Sequence, residues 1–280
     1  MNKLPLLISY AFLKKSKSSF IREIVKAQDK ITLLIDSGAF TAFTQGEVIT
    51  LDEYMDFLKN MPFKCERYFM LDVIGDEVQT KKNLRIMYEK GFKPIPIFTR
   101  GAKAADIDEM YKFSDIVALG GVAVKGQNTH GYVKFFMDNI CKGRKIHWLG
   151  WGDLDFLLHY KPRSYDNSSA FLGSRFGSIG IYDKGRIINY SKKEFNNFVA
   201  KPAMAKACEE LDGNVYDLKE NDNWSGWREL NNMVTVASHI KHRNDMIRRI
   251  GTIPYIACMT HEHIEISTQV FEKLKNKGVL

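Results

Sequence analysis

The most constraining feature of this chain is a rhythm. Between Leu4 and Asp166, short strand-like segments alternate with stretches of helical spacing seven times, in units of roughly 20–35 residues. The segments are Leu4 to Phe12, Ile31 to Asp36, Arg67 to Asp72, Lys93 to Thr99, Asp115 to Gly120, Lys145 to Gly150 and Pro162 to Asp166. The apolar, β-branched run Ile31 to Asp36 reads as a strand buried on both faces, and strand–helix alternation predicts a parallel sheet with helical crossovers. The number of units and the length fit an eight-stranded (β/α)8 barrel better than an open doubly wound sheet. The eighth strand is expected between Phe176 and Asn189. From Ser191 the rhythm changes, and Lys201 to Leu211 and Ser225 to Ile250 read as helices. The expectation is therefore a barrel over residues 1–190 and a helical extension over 191–280, packed on the barrel and not an independent domain.

Local signals support the helices. Thr50-Leu51-Asp52-Glu53 is a capping box, Asp76, Asn128 and Asp153 stand where N-caps belong, and Gly91 stands where a helix ends. The 280 residues are 45% hydrophobic and 26% charged, a globular balance. No apolar run reaches the roughly 18 residues of a membrane span. The first apolar run reads as a buried strand and not as a signal peptide. Cys65, Cys141, Cys208 and Cys258 are scattered without a CxxC pair, which implies free thiols in a reducing compartment; a cytoplasmic location is expected. The formal charge of +8 favours a polyanionic partner.

In a barrel of this kind, chemistry gathers at the C-terminal ends of the strands. Three segments end in Asp36, Asp72 and Asp166; two others end in Gly120-Gly121 and Leu149-Gly150. An Asp at a strand end often only caps the next helix. Three such residues with glycines between them instead predict one shared pocket.

These strings resemble a known family. Asp36-Ser37-Gly38-Ala39-Phe40 resembles the DSGGF motif of the tRNA-guanine transglycosylase superfamily. Gly120-Gly121-Val122-Ala123-Val124 resembles its GGLAV motif, and His147-Trp148-Leu149-Gly150-Trp151-Gly152 its Met-Gly-Val-Gly loop. The resemblance covers about residues 30–170. It is strongest toward the shorter phage-type members that place 7-deazaguanines in DNA, which carry strings like Leu71 to Asp76 and Pro94 to Phe98. It implies that Asp166 is the nucleophile at C1′ and Asp36 the general acid/base. Asp72 would read the guanine edge, with Ser37, Gly120, Gly121, Val122 and Gly150 around the base and Phe40 and Leu149 sandwiching it. It implies no redox cofactor and, as partners, DNA (RNA as the alternative) and a free 7-deazaguanine base such as preQ0. A glycoside hydrolase using the same carboxylates is a further alternative. The target base would be flipped out of a duplex.

The chain also departs from the family pattern. Thr41 and Thr99 stand where the family has glutamines. Asn167-Ser168-Ser169 follows Asp166 in place of the tRNA enzymes' continuation, and their CxCxxC…H zinc site is missing. Cys258, His261 and His263 have metal-like spacing, but no metal is expected, and surface histidines are the adopted reading. Lys125, Arg163 and Arg175 are expected near the mouth. Lys241, Arg243, Arg248 and Arg249 form a basic cluster that would contact phosphates. Trp148 and Trp151 are core, or one of them stacks on a base.

Overall fold

The computed structural model describes residues 3–15, 17–122, 126–195, 200–220, 224 and 229–280. Seven strands form at the seven segments: β1 Leu4–Ser9, β2 Ile31–Asp36, β3 Arg67–Tyr68, β4 Ile97–Phe98, β5 Val117–Leu119, β6 Ile146–Trp148 and β7 Ser164–Asn167. All six residues of β1 are buried, as a strand covered on both faces requires. Next come β8 Ser178–Asp183, β9 Arg186–Ser191 and β10 Ile253–Cys258.

The main sheet has eight parallel strands in the order β3-β2-β1-β10-β7-β6-β5-β4, curled into a half-barrel and flanked by helices; this is compatible with a TIM-like fold but is not the closed barrel the sequence predicts. Beyond β3 and β4 the outer strands meet at one parallel bridge, Phe69 to Ile95. There Ile95 N donates to the Tyr68 carbonyl at 2.8 Å and Met70 N to the Ile95 carbonyl at 3.0 Å. Pro94 and Pro96 flank Ile95 and have no N–H to give, which limits pairing on this edge.

The eighth strand is not where it was expected. Residues 178–191 form a separate antiparallel hairpin, and β10 fills the place between β1 and β7. The hairpin follows from its turn. Lys184 and Gly185 both have positive φ, 45° and 91°, the two-residue geometry that matches strand twist in a hairpin. Its inner strand lies under the long helix Glu229–Ile250, where Gly180 N donates to Thr235 Oγ1 at 3.1 Å. The region after Ser191 is therefore not purely helical, because it supplies a strand of the main sheet.

The helices start where their caps predict. Asp76 accepts from Gln79 N at 2.8 Å, Asn128 from Gly131 N at 2.9 Å, and Asp153 from Asp155 N and Phe156 N at 3.1 Å. Only half of the Thr50 box forms. Thr50 accepts from Glu53 N, while the Glu53 carboxylate turns to Tyr10 and Lys14. Trp148 is fully buried and packs on Trp151, with ring centroids 5.3 Å apart. Among the described residues, no helix is long and apolar enough to cross a membrane.

Candidate active site

Asp36 ends β2, directly opposite Ser9 at the end of β1. The next turn is tight. Gly38 N donates back to Asp36 Oδ2 at 2.9 Å, and Gly38 has φ +81°. A Cβ there would lie 2.6 Å from the Ala11 Cβ and 2.7 Å from Ala11 N, so only glycine fits. Ser37 is fully buried beneath this turn. Phe40 follows on the short helix Ala39–Thr44 and is 48% exposed, an aromatic face turned to solvent.

Asp72 lies beyond β3 on a segment held from behind by the helix Glu77–Glu89. Asn83 Nδ2 donates to the Leu71 carbonyl at 3.0 Å, and Thr80 Oγ1 accepts from Val73 N at 2.9 Å. Both neighbours of Asp72 are thus pinned by buried side chains of one helix.

Asp166 lies on β7, 6% exposed. Its Oδ1 accepts a hydrogen bond from Gly150 N at 2.9 Å and lies 3.1 Å from His147 Nε2. Gly150 reaches it by leaving β6 at φ +71°.

The three carboxylates feel one another. Burial is the main cause that pushes Asp36 up to about 7, and the negative charges of Asp72 and Asp166 add to it. The Gly38 N–H and the nearby Ser9 hydroxyl pull the other way. Burial also raises Asp72 to about 6, opposed by its own backbone N–H and the Ser37 hydroxyl. Asp36 and Asp72 are only partly buried as whole residues, but their carboxyls sit low in the mouth, where desolvation dominates.

The opposite wall is the turn after β5. Gly120 and Val122 are buried; Gly121 is half-buried at φ +70°. Arg100 grips this turn by donating from Nε and Nη2 to the Gly121 carbonyl at 3.3 and 3.2 Å, its guanidinium 4.0 Å over the Tyr132 ring. A Cβ on Gly121 would come within 2.9 Å of the Arg100 Cβ. Leu149 is half-buried beside Gly150, with its N–H on the Leu119 carbonyl at 3.2 Å.

The expected basic residues divide differently. Lys125 lies outside the described residues. Arg175 is exposed on the helix Ser169–Phe176, near enough to His263 to repel its proton. Since His263 opens the helix that follows β10, Arg175 stays on the mouth side. Arg163 does not. It precedes β7 and so stands at the opposite end of the sheet, with Glu66, Arg67, Asp115 and Lys145 around a cavity of about 110 Å³. Arg248 and Arg249 end the helix that returns to the start of β10, and both pair with Asp245 at 3.0 and 3.1 Å. They too lie away from the carboxylates. Arg243 is not a phosphate contact, because it is 1% exposed and donates to the Lys3 carbonyl at 2.8 Å. Lys241 is bound to Glu210.

The surface reading of the histidines fails at His263, which is buried on the helix after β10. His263 Nδ1 accepts from Met259 N at 3.2 Å, and the ring stacks on Phe171 at 3.6 Å. Burial pushes this histidine down to about 4 and the Cys258 thiol well up. Among the described residues, no group of three His, Cys, Asp or Glu side chains is placed to hold a metal ion.

Sequence reasoning missed His147, Ser164, Ser9 and Arg100. Ser164 and Asp166 share a strand face by the two-residue period, a signal that was available. His147, a polar residue inside an otherwise apolar strand, was another. Neither the protein-family models nor the curated proteins match this chain.

Proposed function

We propose that the chain is a base-exchanging glycosyltransferase on a TIM-like parallel sheet, replacing guanine by a 7-deazaguanine in DNA. One observation carries this reading: three carboxylates, on β2, on β7 and just beyond β3, lie near enough for the charges of Asp72 and Asp166 to raise Asp36, yet their environments differ. Asp36 is poised near neutrality by burial and by its acidic neighbours, as proton transfer at neutral pH requires. Asp166 has one oxygen fixed by donors.

In the proposed reaction the free Asp166 oxygen attacks C1′ as the bond to guanine breaks. The bonding pair leaves with the base, and Asp36 supplies the base's proton. The carboxylate stabilises the oxocarbenium-like charge on the sugar, and an ester forms. The incoming base then gives a proton to Asp36, attacks C1′ and displaces Asp166 as the carboxylate. Asp72 accepts from the N–H groups of the guanine-like edge. Phe40, half-exposed, and Leu149 are the faces offered to the flipped ring.

The test is nucleoside mass spectrometry of DNA and tRNA from cells that express the chain and are fed a 7-deazaguanine base. The modified nucleoside is expected in DNA. Its appearance in tRNA alone would reassign the substrate to RNA. Release of guanine without incorporation would make the protein a hydrolase.

A further inference from the structure

Asp166 does not stand alone in the sheet. The β6–β7 register sets His147 opposite Ser164, and Ser164 and Asp166 share a strand face. The His147 ring is fully buried. It lies between Phe69, at 5.0 Å between centroids, and Tyr255, at 6.1 Å, which fixes its plane. Its Nδ1 is 2.8 Å from Ser164 Oγ and its Nε2 is 3.1 Å from Asp166 Oδ1.

We propose that His147 and Ser164 are positioning residues that hold Asp166 by its Oδ1, leaving Oδ2 as the oxygen that reacts. The polarity of the chain follows from the ends. A carboxylate only accepts, so Nε2 carries the hydrogen toward Asp166. Nδ1 is then the acceptor, and the Ser164 hydroxyl donates to it. Ser164 thereby selects the tautomer, as the group behind a histidine does elsewhere. The Gly150 N–H lands on the same oxygen at 2.9 Å. Two donors on Oδ1 stop the carboxylate from rotating and draw charge away from that oxygen. Oδ2 keeps its lone pairs for the sugar. Orientation of this kind is worth much in a displacement, because a misplacement of about 1 Å costs about 100-fold.

This inference rests on the transglycosylase reading for what Oδ2 attacks, but the tautomer does not depend on it. The first test is therefore ¹⁵N NMR of the His147 imidazole in the full-length protein. Hydrogen on Nε2 with a bare Nδ1 is expected, and Ser164→Ala should mix the tautomers. A ring protonated at Nδ1, neutral or cationic, would overturn the proposal. The second test is guanine exchange by His147→Phe and His147→Gln. Phe keeps the ring contacts and offers no N–H; the loss expected is about 100-fold in kcat at unchanged KM for DNA. Gln offers an N–H at the same reach and should restore most of the rate. If His147→Phe exchanges at the wild-type rate while Asp166→Asn is inactive, the positioning role is wrong and the nucleophile stands. If Asp166→Asn itself exchanges at the wild-type rate, the nucleophile is wrong.

Discussion

The two ends of the sheet use the same residue types in opposite ways. At the start of the strands, Asp115 is exposed and held by Arg67 at 2.6 Å and Lys145 at 3.2 Å, and those cations keep its carboxyl below the usual range. Glu66 there receives the Tyr255 hydroxyl at 3.1 Å. At the other end, Asp36 and Asp72 form no ion pair among the described residues, and burial drives both upward. Paired surface charge contributes little and does no chemistry. Buried carboxylates crowded together cost stability, and a fold keeps such a cost where it has a use. The contrast separates an end of paired surface charge from an end of buried, unpaired carboxylates, where the proposed chemistry lies.

The largest effect should come from Asp166, the nucleophile of the proposed reaction. Asp166→Asn is expected to lower base exchange on the order of 10⁴-fold or more, measured as labelled guanine entering DNA, with the fold kept by far-UV circular dichroism. Next is Gly38→Ala. It forces a Cβ into Ala11 at a positive φ, so a destabilisation of about 2–4 kcal/mol is expected from urea unfolding, together with loss of exchange.

The third prediction concerns pH. Asp36 is raised to about 7 in the folded protein, from the 3.8 of an unhindered carboxyl. Below pH 4 it is protonated whether folded or unfolded. Between pH 4 and 7 the unfolded chain ionises and the folded one resists, so this group makes the protein less stable as pH rises, with the full cost above pH 7. Asp36→Asn should therefore stabilise the protein on the order of 2 kcal/mol at pH 8, with the gain fading toward pH 4, as urea midpoints would report. Asp72→Asn should do the same over a window ending near pH 6. An unchanged midpoint at pH 8 would mean that the mouth is wetter than the geometry implies.

The smallest effects belong to the far end. Asp115→Ala should cost less than about 1 kcal/mol and leave exchange intact. Arg163→Ala and Arg248→Ala should leave DNA affinity unchanged in a filter-binding titration, whereas Arg175→Ala should weaken it at every sequence tested. A loss of affinity from Arg163→Ala would break the division between the two ends.

Much of this division was legible in the sequence. Asp36 and Asp166 were visible because segments of a strand–helix alternation end on them, and Asp76 and Asp153 were read as caps for sound reasons. The last strand was harder to see. Residues 178–191 look strand-like and are, but their alternation of apolar and polar residues around Lys184-Gly185 belongs to a hairpin. The true eighth strand, Ile253–Cys258, carries Pro254 and follows a 22-residue helix that breaks the rhythm. Arg243 was misread as part of a charge cluster. It lies three residues after Ile240 and seven after Val236, on the buried stripe of its helix. His147 was quoted as part of a motif, yet only the register with Ser164 reveals its partner.

In the proposed reaction Asp166 becomes covalently joined to the sugar at the mouth. The most direct measurement is to incubate the protein with guanine-containing DNA, quench with denaturant and digest both polymers. Mass spectrometry then locates the modified peptide. A deoxyribose-linked ester on the peptide containing Asp166, absent from Asp166→Asn, is the predicted result. An adduct on Asp36, or undiminished base exchange with none trapped on the Asp166 peptide, would contradict it.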